Sequence, residues 1–393
     1  MDCTSWGKWR RKKYDSPVNC TLLAGSEAFP ELAGDTDSWI RNTEERATIR
    51  AVLTTAKREE RKIALHFQRG QGLRGMFDSN RKALDMLDRA LEQTKRHYFT
   101  VGYGVSRRLP GGKKNLNSSL SGGPYDHPRA NQVATLFAPE AELAPFEAWV
   151  TDLHYRKGKS ALKLIKTALS DFLPGVEFQS IDKETRSLMF KTGDGAVPLA
   201  VLSDGFQNAI SWCGDLLYRL IEVFHDYNTP LKARGLLLID EIGLHLHLSW
   251  QRRLREYISK KFPNLQIIAT THSPFTAHQA GEGELFSLLR DDDHQSEVKL
   301  RGFEGAPNRL LLHQLVMTPF FGLETMNSRK WEEIRGEYRA LYKKKEKSKK
   351  EKMRMAELEE NLKDQPDWSA GQPHFAEVKS LLEEIRREKE GRQ

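Results

Sequence analysis

The 393-residue chain has little cysteine, no long apolar run and no internal repeat. Its three cysteines, Cys3, Cys20 and Cys213, lie far apart with no CxxC spacing. That supports neither a disulfide framework nor a zinc site. No apolar stretch approaches the ~18–20 residues that a membrane span needs. The segment Met1–Lys13 is polar and basic and lacks the apolar core of a signal peptide. These absences predict a soluble, cytoplasmic protein with no membrane partner. Hydrophobic residues make up 38% of the chain and charged residues 30%, polar for a globular protein yet enough for a sizeable core. The length fits one large α/β domain with insertions, or two domains. A net charge of +8 permits nucleic-acid or other phosphate-rich partners, though much of the excess sits in local clusters.

What is present reads as alternating strands and helices. Residues 1–45 are irregular, with scattered Gly, Pro and Ser. "ATIRAVLTTAKREERKIALHF" (47–67) predicts two strands joined by a charged turn, and the alternation in Lys62–Phe67 predicts a half-buried antiparallel hairpin. Residues 80–97 carry Ala83, Leu84, Leu87, Ala90 and Leu91 at helical spacing, and "YFTVGYG" (98–104) predicts a strand. Residues 105–131 form a long polar loop, of a length that is usually functional or disordered. Helices are expected near 144–156 and 159–173, strands around 176–181 and 187–192, and a long helix over 206–224. Gly235–Asp240 and Leu265–Thr270 read as buried strands, with a helix over 249–261 between them. Alternating elements with wholly apolar strands predict a parallel sheet covered on both faces. From Ser328 the chain becomes a highly charged helical stretch, broken by "DQPDWSAGQP" and resumed by "FAEVKSLLEEIRREKE".

Chemistry concentrates in "GLLLIDEIGLHLHLSWQRRL" (235–254), an apolar strand running into Asp240 and Glu241. Ligands of α/β sheets collect at the carboxyl edge of such a strand. In nucleoside triphosphate hydrolysis the first carboxylate, Asp240, would hold Mg²⁺ through a water, because that small hard cation keeps much of its hydration shell. The second, Glu241, would orient and deprotonate the attacking water. An ordinary strand followed by an acid-attracting helix start fits the same residues. "LQIIATTHSPF" (265–275) is a second apolar strand, and it leaves His272 at the sheet edge, a strand or so from Glu241. A histidine there can donate to a γ-phosphate; alone it would serve as a structural turn residue. "VLSDGFQNAISW" (201–212) offers Ser203 as N-cap and Gly205 for close backbone approach at the start of a long helix. Such a helix start is an anion site or simply a capped helix.

The order LSDG, then a strand ending in DE, then a strand ending in THS resembles the ABC-type ATPase head of SMC-like and OLD-like proteins. The likeness is closest to bacterial "AAA family" ATPases with ABC-like cores, as in Septu-type and retron-associated defence systems, whose usual form is similar to "LLLIDEIDLHLHPSWQR". "FFGLETMNSRKWEEIRGEYRALY" and "YFTVGYGVSRR" also look like that group, and the resemblance covers roughly residues 45–345. It implies a P-loop α/β head with a small antiparallel β-subdomain, a helical insertion (about 80–175) and a charged helical tail. The expected division is 1–45 as a remnant of the nucleotide-binding lobe, 46–305 as the head and 306–393 as the charged helical region. Residue by residue, it implies that Asp240 is the Mg²⁺-associated Walker B aspartate, Glu241 the catalytic glutamate and His272 the switch histidine. Ser203, Asp204 and Gly205 match the signature loop that binds the γ-phosphate held by the opposite protomer. Leu244–Ser249, with Leu244 and His245 foremost, match the D-loop at the dimer interface. Gly243 and Leu248 stand where close relatives commonly carry an acid and a proline. ATP and Mg²⁺ are the implied ligands. The implied assembly is a homodimer or higher oligomer that drives a nuclease or other effector, in antiphage defence or nucleic-acid processing.

One part of that machinery is missing. A Walker A loop, GxxxxGK[ST], would cradle the phosphates with backbone N–H groups and a lysine. "GGKK" (111–114) lacks the upstream spacing and the Ser/Thr, and "RGQGLRGMF" (69–77) lacks the lysine. Three explanations stay open: a truncated or misassigned start, which this reading favours; a Walker A half supplied by another chain; or a non-hydrolysing binding subunit. Loss of the Walker A strand would also expose apolar sheet. Arg107 and Arg108, after the strand at 98–104, either contact phosphate or form a solvated arginine pair. Lys343–Lys352 either tracks a nucleic-acid backbone or is a solvated helix face. His245 and His247, two apart and without a carboxylate–histidine set, are not metal ligands.

Overall fold

The computed structural model describes Asp37 and residues 40–54, 58–86, 99–107, 131–137, 140–170, 172–173, 175–182, 184–290, 298–323 and 325–363. The predicted hairpin is present as β1 (Arg46–Thr54) and β2 (Glu60–Gln68), antiparallel with Ala47 opposite Phe67 and Ala51 opposite Ile63. Alternation puts Ile63 and Phe67 on its buried face, where Phe67 packs with Ile40, Met76, Phe77 and Leu84. A short helix, α1 (Gly72–Ser79), follows within "RGQGLRGMF". The predicted helix at 80–97 is seen over 81–86, and its remainder lies outside the described residues.

The strand at 98–104 is β3 (Thr100–Tyr103). Of the polar loop after it, residues 108–130 lie outside the described residues. The insertion supplies α2 (Phe146–Lys157) and α3 (Lys159–Leu169), separated by Gly158 in the left-handed region at φ +63°. Next comes an antiparallel sheet of β4 (Glu177–Ile181), β5 (Leu188–Thr192) and β6 (Gly195–Pro198). The long helix α4 (Asp204–Val223) leads to β7 (Gly235–Ile239), α5 (Leu248–Lys261), β8 (Leu265–Ala269), the single turn α6 (Pro274–Ala277) and a hairpin of β9 (Phe286–Arg290) and β10 (Val298–Gly302).

The fold is α/β. β3, β7 and β8 run parallel in that order, with Val101 opposite Leu237 and Leu237 opposite Ile267. One face of this sheet is buried along β3 and β7, with Ile267 of β8 half-buried at its margin. Val101, Tyr103, Leu237 and Ile239 pack in a single core with Trp212, Leu216 and Leu220 of α4, Trp149 and Leu153 of α2, and Leu254 and Ile258 of α5. The other face is covered in part by the described residues. There Gly102 meets Leu136 and Val133, but Leu236 and Leu238 are only half-buried and Ile268 of β8 is 54% exposed. Apolar content marked the strands without telling which face had a cover.

Four hydrogen bonds converge on Asp215 of α4, which is completely buried. Its carboxylate accepts from the Tyr103 hydroxyl (2.8 Å), the Ala144 N–H (2.8 Å), and Nε (2.5 Å) and Nη2 (3.2 Å) of Arg219. The network ties α4 to the end of β3 and to the segment that leads into α2. Burial, followed by the Asp215 charge, raises the Tyr103 phenol well above its ordinary value.

The chain divides into two compact units, at Leu312 and His313. In the second, α7 (Arg329–Lys343) and α8 (Lys349–Lys363) are joined by a fork in which Arg354 Nε and Nη2 donate to Glu337 at 2.8 and 2.9 Å. The lysine run spans the break between them. Lys343 closes α7, Lys344 pairs with Glu351 at 2.6 Å and Lys347 donates to the Lys344 carbonyl at 2.7 Å. Residues 364–393, including the predicted second part of the tail, lie outside the described residues.

Candidate functional site

β7 ends at Ile239 and places Asp240 and Glu241 immediately beyond it, at the carboxyl edge of the sheet. The backbone does not continue as a strand. Glu241 has φ +48° and His245 φ +61°, so two of the four non-glycine residues with positive φ among the described residues lie within five positions. A left-handed L-residue costs about 1–2 kcal/mol, and such strain persists only where the surroundings over-determine it. Here they do. The Asp240 N–H donates to the Tyr103 carbonyl (2.8 Å), the Ile242 N–H to the Thr270 carbonyl (3.0 Å) and the Leu244 N–H to the Glu241 carbonyl (3.0 Å). Gln251 of α5 donates to the carbonyls of Gly243 (3.2 Å) and Leu246 (2.9 Å), and the Ser273 hydroxyl donates to Gln251 in turn.

Thr270, one residue past β8, sits between the two carboxylate residues. Its Oγ1 donates to Asp240 Oδ1 and accepts from the Glu241 N–H at 2.9 Å. His272 stands beside Glu241. Its N–H reaches Glu241 Oε2 at 3.3 Å, and its Nε2 lies 3.3 Å from Oε1. The imidazole is 98% exposed and the glutamate 24%, so a partly shielded carboxylate contacts a ring open to an incoming group. Proximity of these two residues was expected from sequence, and the structure brings them together.

Ser203 is the N-cap of α4 by backbone conformation (φ −61°, ψ 156°), but its hydroxyl makes no capping bond there. Asp204 is in the first turn, where a carboxylate complements the helix dipole. Gly205 answers a close approach, since a Cβ built on it would lie 2.5 Å from the His245 carbonyl oxygen. The LSDG segment and the Leu244–His245 segment therefore meet within one chain. His247 N-caps α5, its Nδ1 3.3 Å from the Ser249 N–H. Among the described residues, no group of three or more His, Cys, Asp and Glu side chains could hold a metal ion.

Arg107 differs from both sequence readings. It is 3% exposed, so it is not a solvated residue, and its guanidinium is taken up by the chain rather than turned outward. Nε donates to the Gly104 carbonyl (2.9 Å), and Nη2 donates to the carbonyls of Asp240 and of Glu241, the latter at 2.6 Å. Burial pushes the guanidinium down to about 10, with Asp240, Tyr103 and Glu241 opposing the fall, so it remains charged at neutral pH. Arg108 lies outside the described residues. Sequence reasoning missed Thr270 as a bridge and Gln251 as a brace; the threonine stood in view in "ATTHSPF", but nothing in the spacing shows which hydroxyl turns toward Asp240.

With this geometry in place, similarity to known proteins is informative. Residues 75–277, more than half of the chain, match the family described as "AAA domain, putative AbiEii toxin, Type IV TA system". The chain belongs to this family. Among individual relatives of this AAA domain, the Retron Ec83 probable ATPase of Escherichia coli is 29% identical over 38% of this chain and 28% of its own length. The Septu protein PtuA of Bacillus thuringiensis is 35% identical over 32% of this chain and 32% of its own length. The Septu protein PtuA of Bacillus mycoides (strain KBAB4) is 26% identical over 57% of this chain and 29% of its own length. The chain thus spans about 30% of the length of the curated relatives it matches. A solved SMC head domain from Thermotoga maritima aligns at 13% identity over 72% of this chain and 84% of that one, with a TM-score of 0.34, too distant an overlay to bear on the site.

Proposed function

We propose that this AAA domain is an ATP-binding, ATP-hydrolysing ABC-type ATPase head whose hydrolytic carboxylate is Glu241. The observation that carries this reading is the Glu241–His272 contact at 3.3 Å on the carboxyl edge of a parallel sheet, beside an aspartate held by Thr270. The donor chemistry fits Mg²⁺: Asp240 and Glu241 offer hard carboxylate oxygens, and Asp240 engages the Thr270 hydroxyl through Oδ1. When bound, Mg²⁺ would neutralise charge on the β- and γ-phosphates. Asp240 would hold it through water. Glu241 would accept a proton from the attacking water, and His272, exposed and touching the glutamate, would donate to the γ-phosphate and register its loss.

Dimerisation is part of the proposal. Ser203–Gly205 and Leu244–His245 adjoin each other, and the Ser203 hydroxyl makes no capping bond to its own helix. That arrangement suits a surface which completes a nucleotide site on a second head. Relatives bearing retron and Septu names support a setting in antiphage defence, and a nuclease or other effector as partner completes the proposal. Among the described residues no helix is long and apolar enough to cross a membrane.

A second reading has its own observation. The 393 residues contain no GxxxxGK[ST], and Ile268 on the sheet is 54% exposed. Both support a phosphate-cradling half supplied from elsewhere, with this chain acting as a binding subunit. Phosphate release on addition of ATP and Mg²⁺ separates the two. Turnover that needs Mg²⁺ and falls on Asp240→Asn supports the first; absence of ATP binding to this chain alone refutes it and leaves the second.

A further inference from the structure

We propose that Arg107 is a positioning residue for hydrolysis, a clamp that holds the Asp240–Glu241 turn in its left-handed, carboxylate-presenting conformation. This rests on the ATPase reading above for its catalytic meaning, but the clamp itself rests on geometry. Along an extended strand successive backbone carbonyls point to opposite sides. Here the consecutive carbonyls of Asp240 and Glu241 converge on one nitrogen, Nη2 of Arg107, and Glu241 has φ +48°. Both bonds exist only in that conformation. If Glu241 relaxed into the extended region, its carbonyl would swing away from the guanidinium and its carboxylate would leave His272.

The clamp is itself anchored. Arg107 Nε is fixed on the Gly104 carbonyl, and the Gly104 N–H is held by the Thr135 hydroxyl at 3.2 Å. The Thr135 main chain lies so close to Gly104 that a Cβ there would meet the Thr135 carbonyl oxygen at 1.9 Å. The guanidinium therefore approaches the turn from a rigid base at the end of β3. Its Nη1 is buried with no hydrogen-bond partner among the described residues. Retaining a buried charge with one amino group unsatisfied is costly, and packing alone would be served by an apolar side chain. What an apolar side chain cannot supply is a charged donor that holds both turn carbonyls on Nη2 while its Nε stays fixed on the Gly104 carbonyl.

The test compares Arg107→Ala and Arg107→Lys with the unaltered full chain, by amide hydrogen exchange and by steady-state ATP turnover. The expected result is faster exchange, on the order of ten-fold, at Ile242, Leu244 and Leu246, with β7 unchanged, as loss of charge-assisted hydrogen bonds implies. Lysine keeps the charge but has one nitrogen, which cannot hold the Gly104 carbonyl and both turn carbonyls together, so Arg107→Lys should show the same local loosening. Guanidinium at low millimolar concentration should restore protection in Arg107→Ala, and the same concentration of sodium chloride should not. In turnover, kcat should fall on the order of 10²-fold with KM nearly unchanged, since the carboxylate is displaced rather than the nucleotide lost. Unaltered exchange across 240–246, a rise spread evenly over α4 and β7, or full protection in Arg107→Lys would each overturn the clamp. Should the unaltered chain hydrolyse no ATP, the ATPase reading fails, and the exchange data still decide the clamp on their own.

Discussion

Replacing Asp215 by alanine should be among the most damaging single changes to this protein. The carboxylate is fully buried and accepts from Tyr103, Ala144 and twice from Arg219, whose own side chain is only 12% exposed. Removing one partner of a buried pair leaves an uncompensated charge, at about 3–5 kcal/mol. The Tyr103 hydroxyl and the Ala144 N–H are orphaned as well, at about 1–3 kcal/mol each when no water reaches them. These penalties share one cavity and do not add, so a total of about 4–6 kcal/mol is expected. That is a large fraction of the 5–15 kcal/mol by which domains are typically stable. Asp215→Asn keeps an acceptor for Ala144 and should cost about half as much. The pair Asp215→Leu with Arg219→Met removes both charges and should be less destabilising than Asp215→Ala alone. Urea denaturation followed by tryptophan fluorescence measures all three, since Trp212 packs against Tyr103 with centroids 6.1 Å apart. A loss below about 1 kcal/mol for Asp215→Ala, or a pair as damaging as the sum of its members, would refute the network as the link between α4, β3 and the insertion.

Further expectations concern other parts of the molecule. Gly205→Ala places a methyl 2.5 Å from the His245 carbonyl oxygen, so the two loops must separate; a loss of about 1–3 kcal/mol in thermal or urea melts is expected, with ATP turnover falling further than stability alone explains. Cys213 is fully buried, and burial pushes its thiol up to about 12, so peptide mass spectrometry should find it unmodified by thiol reagents at pH 8 until the protein is denatured. Burial alone would raise the Glu222 carboxyl, but the Arg156 and Trp149 hydrogen bonds hold it below its ordinary 4.5. Its stabilisation is therefore complete above pH 4.5 and disappears as the pH falls through the depressed native value. Stability measured from pH 6 down to pH 3 should fall less steeply for Glu222→Gln than for the unaltered chain; parallel curves would contradict this assignment.

Much of the central architecture was legible in the chain itself. The apolar runs "GLLLI" and "LQIIA" are strands β7 and β8, and the DE pair and His272 stand at their carboxyl edge as expected. Period and length sufficed, because buried parallel strands are short, apolar and bounded by polar residues. Three kinds of feature were not legible. α1, β6 and the strands of the β9–β10 hairpin are only four to eight residues long, and Phe286, Leu288, Val298 and Leu300 of that hairpin are exposed, so no core face marks the hairpin. The exposure of Ile268 on β8 depends on what packs above it, which composition cannot reveal. The role of Arg107 depends on a backbone conformation 133 and 134 positions away. Sequence weighed phosphate against solvent for that arginine. Neither alternative included a main-chain carbonyl, yet two of them, on the Asp240–Glu241 turn, are what it holds.

The central claim is that Glu241 performs chemistry rather than binding. Single-turnover hydrolysis with Mg²⁺–ATP on the unaltered chain and on Glu241→Gln, alongside equilibrium ATP binding to each, tests it most directly. Glutamine preserves size and leaves the main-chain bonds to Arg107 and Thr270 in place. The account predicts ATP affinity within a few-fold of the unaltered chain and phosphate release slowed on the order of 10²–10⁴-fold, the range for removal of a general base. Hydrolysis that continues at the original rate in Glu241→Gln, with ATP still bound, would contradict it.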